Sequence, residues 1–140
     1  MNAYVIDTSV AVKWFCLEDD TASALDLRER LYRQECRILA PDLLLYELAN
    51  ALRFNPRLTA DDVKAAVGSV VDLGLELISA DAEMLGKAVD LALRFDTTVY
   101  DACFLALADL RDLPLISADV KLIAQAKGFA GLVRLGSVSL

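Results

Sequence analysis

Five short apolar runs punctuate this chain, and helical patterns fill the intervals between them. That alternation constrains the fold more than any other feature of the sequence. Residues 3–6, 37–40, 75–79, 113–116 and 132–135 are too short to be helices and show no clean apolar–polar alternation. A strand of that kind is buried on both faces, as in a parallel sheet covered by helices. The intervals read as helices at about 20–35, 42–54, 59–73, 81–95, 97–110 and 119–127. Their starts carry capping residues: Asp20-Thr21, Asp42, Thr59 with Asp62 three residues on, Asp81, Thr98 and Asp119. Gly74 and Gly128 mark two of their ends. Strand–helix alternation with right-handed crossovers gives an α/β fold, a three-layer sandwich. At 140 residues, with no linker or repeat, residues 1–140 make one domain.

Composition removes several kinds of chemistry. The chain has no histidine, which excludes Ser-His-Asp and Cys-His catalysis and His-ligated zinc. Cys16, Cys36 and Cys103 are widely spaced, form no C-x-x-C, and suit a reducing cytoplasmic compartment. No apolar run reaches the ~18 residues of a membrane span, so no membrane partner is expected. Met1 to Asp7 lacks the basic start of a signal peptide. The net charge of −7 argues against passive binding to a polyanion. It does not argue against an enzyme that meets phosphates through metal ions.

The acids then become informative by position. Ligands of an open parallel sheet bind beyond the carboxyl ends of its strands. Asp7 directly follows the first strand, and Asp119 follows the fourth through Ser117-Ala118. Glu47 and Asp101 lie in helices that are apolar nearly all round, at 43–49 and 99–108. Each acid also has a purely structural reading. Asp7 and Asp119 fit helix N-caps, Asp101 fits the first turn of a helix, and Glu47 fits a polar stripe with Asn50 and Arg53. The combination favours chemistry. A lone buried charge is costly, and two carboxylates about 4 Å apart repel by roughly 4 kcal/mol at an effective dielectric near 20. Four converging acids therefore call for a cation. An all-oxygen set selects a hard divalent ion, Mg²⁺ or Mn²⁺. Thr8, Ser9 and Ser117 stand beside these acids and suit hydrogen bonds that orient carboxylates.

Four stretches carry a family likeness: Val5-Ile6-Asp7-Thr8-Ser9-Val10, the segment 41–52 around Glu47, the segment 97–108 around Asp101, and 115–122 around Asp119. In order and spacing the sequence resembles PIN-domain ribonucleases, and within them the VapC-type toxins of toxin–antitoxin pairs. The resemblance covers nearly the whole chain. It implies a sheet of about five parallel strands flanked by helices. It implies Asp7, Glu47, Asp101 and Asp119 as the catalytic, metal-binding acids, with Ser9 and Ser117 as polar supports. It further implies metal-assisted hydrolysis of RNA, often tRNA or ribosomal RNA, a homodimer, and a separately encoded VapB-like antitoxin.

Without the four site acids, 17 acids face 14 bases, so attraction for a polyanion would have to be local. Arg28, Arg30, Arg33 and Arg37 form one basic set, and Lys13, Lys121 and Lys127 are further candidates. Rival folds of similar size fit less well. A receiver-type signalling module needs paired acids after the first strand, where Asp7 stands alone before Thr8. A haloacid-dehalogenase-like phosphatase needs D-x-D, and Asp7-Thr8-Ser9 lacks the second acid. An RNA-processing nuclease of the same family without a toxin role stays open.

Overall fold

A computed structural model describes residues 1–137. Its order is β1 (Asn2–Ile6), α1 (Thr8–Val12), α2 (Thr21–Tyr32), β2 (Cys36–Pro41), α3 (Leu43–Arg53), α4 (Ala60–Asp72), β3 (Glu76–Ile78), α5 (Ala82–Phe95), α6 (Val99–Arg111), β4 (Leu115–Ser117), α7 (Val120–Gln125) and β5 (Leu132–Arg134), closed by a 3₁₀ turn at Leu135–Ser137. The strands form one sheet in the order β3-β2-β1-β4-β5, and every pairing is parallel. The expected α/β architecture and its five parallel strands are therefore present.

The apolar strands are apolar because both faces are covered. Val5, Ile6, Ile38, Leu39, Ala40, Leu115 and Ile116 are all buried. Helix α6 is the most enclosed helix, with every residue from Ala102 to Ala108 buried. It packs on α5 and against β1, β2 and β4. On α3 the buried side chains are Leu44, Leu48 and Leu52, spaced four apart along one face. Each fully buried leucine of this kind contributes roughly 1.5–3 kcal/mol by leaving water.

Local signals hold where they are strongest. Thr59 and Asp62 form a reciprocal capping box at the start of α4. Gly74 ends that helix region at φ 96°, a conformation that costs glycine little. Three expected features differ. Asp20 precedes α2 in a left-handed conformation at φ 63° and makes no side-chain cap. Helix α2 stops at Tyr32 instead of Glu35, because Gln34 turns left-handed at φ 60° and lets the chain enter β2. Asp42 makes no side-chain cap on α3; its carboxylate accepts a hydrogen bond from Ser79 Oγ at 3.1 Å, beyond the end of β3.

Two features of the topology position a site. The strand sequence runs from β1 outward to β2 and β3, then returns to the other side of β1 for β4 and β5. The crevice at such a reversal, beyond the strands' carboxyl ends, lies between β1 and β4. Residues 7 and 117–119 are the chain segments that leave those two strands. Among the described residues no helix is long and apolar enough to cross a membrane.

Candidate active site

Asp7 leaves β1 in extended backbone geometry and caps α1, its carboxylate accepting the Ser9 N–H at 3.1 Å. The hydroxyls of Ser9 and Ser117 donate to its two oxygens, one each. Both serines also accept from the loop after β4. Ser9 Oγ takes the Ala118 N–H at 2.9 Å, and Ser117 Oγ takes the Asp119 N–H at 3.0 Å. Two hydroxyls thus stitch the end of β1 to the end of β4. Asp119 caps α7 by accepting the Leu122 N–H at 3.1 Å.

The other two acids come from helices. Glu47 on α3 accepts a hydrogen bond from Thr8 Oγ1 at 2.6 Å, across 39 residues of sequence. Asp101, in the first turn of α6, accepts from Thr97 Oγ1 at 3.4 Å, while its N–H donates to Thr98 Oγ1 at 3.0 Å. The capping reading is realised for Asp7 and Asp119, whose carboxylates accept the Ser9 and Leu122 N–H groups; Asp101 stands in the first turn of α6.

The electrostatics tie the four acids together. Asp7 is 5% exposed, and burial pushes its pKa up to about 6, against the pull of Ser117 and Ser9; the charge of Asp119 adds to the rise. Burial also raises Glu47, opposed by Thr8 and reinforced by Asp101. Burial raises Asp101 too, followed by the charge of Asp119, with Thr97, Thr98 and Lys121 opposing. The repulsions link Glu47 to Asp101, Asp101 to Asp119, and Asp119 to Asp7. Among the described residues none of the four forms an ion pair. Hydroxyls and backbone N–H groups hold them instead, and no three of them are drawn into a ready-made metal cluster. The donor chemistry fits a hard divalent cation: four carboxylates, neutral hydroxyl supports, and no nitrogen or sulfur ligand.

A family model described as PIN domain matches residues 4–128. The chain belongs to the PIN domain family. No curated protein matches the sequence. Solved structures of the same fold include PAE2754 from Pyrobaculum aerophilum, at 22% identity and a TM-score of 0.65, covering 97% of this chain and 92% of that one. A second is VapC20 from Mycobacterium tuberculosis, described as a sarcin–ricin loop cleaving toxin, at 18% identity and a TM-score of 0.68, covering 92% and 98%. A third is VapBC2 from Rickettsia felis, bound to a DNA fragment from its promoter, at 15% identity and a TM-score of 0.67, covering 94% and 96%.

Within this PIN domain the candidate basic residues divide by place. Arg30 pairs with Asp26 at 3.1 Å, Arg33 with Glu29 at 2.8 Å, and Arg37 with Glu76 at 2.7 Å. Arg37 lies at the start of β2, at the end of the sheet opposite the acids. Arg30, Arg33 and Arg37 are thus neutralised by their own acids, as the solvated-face reading expects, and Arg28 donates to the Trp14 carbonyl at 3.4 Å. Lys13 is nearly buried and reaches Glu18 at 3.4 Å. Lys121 is different: it is exposed on α7, its charge favours ionised Asp101, and both line one small cleft with Thr97, Thr98 and Gln125. Thr97 and Thr98 read in the sequence only as a helix start, and their hold on Asp101 was not foreseen. The T-T-x-x-D spacing, with two hydroxyls within a turn of an acid, was the available signal. All three cysteines are free thiols, and burial raises the pKa of Cys36 and Cys103.

Proposed function

We propose that this PIN domain is a Mg²⁺- or Mn²⁺-dependent endoribonuclease and the toxin member of a VapBC-type pair. The observation that carries the reading is the set of four acids without ion-pair partners. They come from β1, α3, α6 and the segment after β4, and they are coupled by charge at the sheet's carboxyl edge. Asp7, Glu47, Asp101 and Asp119 would hold the cation. Such an ion, when bound, acidifies water and stabilises the charge that develops on phosphorus. The chain's own groups do the rest. Thr8, Ser9 and Ser117 fix the carboxylates' orientation through the hydrogen bonds described above. Lys121 and the Thr97 and Thr98 hydroxyls lie against Asp101 in one small cleft and favour its ionised, cation-holding form.

Family membership and the neighbours' described roles support the choice of RNA over other phosphodiesters. The neighbours described as VapBC pairs also support a separately encoded VapB-like antitoxin as partner; a homodimer is what the resemblance in sequence implies. The three free thiols fit a cytoplasmic location. A processing nuclease of the same fold would share the acids and differ in having no antitoxin. Co-purification with a neighbouring gene product that suppresses cleavage separates the two.

The test is cleavage of folded RNAs by the purified chain with Mg²⁺, with Mn²⁺ and with EDTA. Cleavage that needs the ion and stops with EDTA supports the reading. Cleavage undiminished in EDTA overturns it. Thr8→Val adds a finer expectation, since valine keeps the shape and removes the one side-chain donor to Glu47 among the described residues. The Mg²⁺ concentration for half-maximal cleavage should rise about 10- to 100-fold.

A further inference from the structure

One positive charge stands against the acidic site with no internal reason to be there. Lys121 lies on α7, two residues after Asp119, and is exposed. Among the described residues it forms no ion pair. It is the one base whose charge acts on any of Asp7, Glu47 and Asp101, and the acid it acts on is Asp101. Keeping Asp101 ionised does not call for a lysine, because the Thr97 and Thr98 hydroxyls favour the same form without a charge. A lysine there also repels the divalent ion that the four acids would hold. Its charge is therefore a cost to the cation site, and an anion brought from outside accounts for it.

The cleft around Lys121 is held in shape. It opens between the corner that joins α5 to α6 and the side of α7, has a volume of about 300 Å³, and is lined by Asp96, Thr97, Thr98, Asp101, Lys121 and Gln125. Asp96 closes α5 in a left-handed conformation at φ 53°, so residues 96–98 alone join the two helices. Gln125 Nε2 donates to the Asp96 carbonyl at 3.3 Å and ties α7 to that corner. Phe95 and Phe129 meet edge to face, their centroids 6.2 Å apart, and join the end of α5 to the segment after α7. Every residue of the wall is polar, and Lys121 is its one cation. Lys121 and the acid Asp101 thus share a fixed polar cleft at the sheet's carboxyl edge.

Resting on the nuclease reading, we propose that Lys121 binds a backbone phosphate of the RNA next to the one that is cut, and so sets which linkage meets the acids. An ammonium on a flexible stem meets a phosphate as a point charge. A contact of that kind fixes the register of a strand and reads no base. It also answers the charge of the chain. A protein of net charge −7 repels a polyanion at long range, so a cation placed beside the cut gives the strand a local hold.

The test is steady-state cleavage by the full chain, with Mg²⁺, of a folded RNA that it cuts. Lys121→Gln should raise KM about tenfold, leave kcat within about threefold, and lower the slope of log KM against log salt by about 1. Lys121→Arg should restore all three, since arginine keeps the charge. The contact is located by placing a neutral methylphosphonate, on a 2′-deoxy residue, at one linkage after another. One linkage beside the cut should cost the unmodified chain about tenfold in KM and cost Lys121→Gln almost nothing. The proposal is overturned if every neutral linkage affects both chains alike. It is equally overturned if glutamine leaves KM unchanged, whether it is silent or instead raises the Mg²⁺ concentration for half-maximal cleavage, which would assign Lys121 to the support of Asp101. In either case the unmodified chain still cuts RNA and the nuclease reading stands. If the unmodified chain cuts no RNA, the nuclease reading fails first and takes this one with it.

Discussion

Asp101→Asn is expected to lower RNA cleavage by more than about a hundredfold while leaving the chain folded. Asparagine has the shape of aspartate and keeps an acceptor for Thr97 Oγ1. It carries no charge, so it cannot neutralise a divalent cation. Loss of a supporting group around a metal ligand costs 10- to 100-fold, and loss of a ligand itself should cost more. Stability should not fall with activity. Asp101 is half-buried, and both burial and the charge of Asp119 disfavour its ionised form. Removing that charge relieves the metal-free fold. The measurement is cleavage rate beside thermal melting. A variant that cuts RNA at the normal rate would remove Asp101 from the site, and a variant that unfolds would make it a structural residue.

In EDTA, the melting temperature should rise as pH falls from about 8 toward 4, and Asp7 should be the largest single cause. Its ordinary pKa is 3.8 and its folded pKa is about 6. A carboxyl group whose pKa is higher in the folded state binds its proton more tightly there. The stability from protonation is thus fully present below 3.8 and is lost as pH rises through about 6. That difference is worth about 3 kcal/mol at most, or up to roughly 10 °C in melting temperature for a domain of this size. Glu47 and Asp101 are raised as well and act in the same direction. Glu76 opposes them, since Arg37 holds its carboxyl below the usual range, but that pair is largely exposed and contributes little.

Asp7→Asn should flatten this pH profile and raise the melting temperature near pH 7. The Ser9 and Ser117 hydroxyls can reorient to meet the amide, since a hydroxyl both donates and accepts. Mg²⁺ should stabilise the unmodified chain at neutral pH by mass action and leave the asparagine variant nearly unchanged. A melting temperature independent of pH between 4 and 8 would mean that Asp7 is not buried as a charge. Together the two substitutions describe a site kept at the expense of stability.

The sheet was legible in the sequence because burial on both faces leaves a mark on every strand residue. Val5-Ile6, Ile38-Leu39-Ala40 and Leu115-Ile116 could hardly be anything else. Strand ends were less legible. Ser117 lies inside β4, fully buried, because its hydroxyl is spent on Asp7 and the Asp119 N–H. A polar residue satisfied in that way looks like a loop residue in the sequence. Asp42 shows the reverse error. Its residue type and place fit a cap, yet Ser79, 37 residues away, takes its carboxylate.

The four acids were legible for a related reason. Glu47 and Asp101 stand among apolar neighbours, and Asp7 and Asp119 stand where strands end. Their supports were legible only in part. Ser9 and Ser117 could be picked out as neighbours of acids. The bond from Thr8 to Glu47 depends on α1 packing on α3, which no local pattern encodes. The arginines at 28, 30, 33 and 37 were ambiguous because a basic set reads alike whether it faces a polyanion or its own acids. Asp26, Glu29 and Glu76 resolve it in favour of the acids for Arg30, Arg33 and Arg37, while Arg28 donates to the Trp14 carbonyl.

The claim that matters most is that Asp7, Glu47, Asp101 and Asp119 share one divalent cation site at the sheet's carboxyl edge. Crystals of the chain soaked in Mn²⁺, with anomalous diffraction recorded above the manganese edge, test it directly. A strong peak within coordination distance of these carboxylates, absent in crystals of Asp7→Asn, is the expected result. No peak there, or a peak bound by other residues while these four keep only their hydroxyl partners, contradicts it.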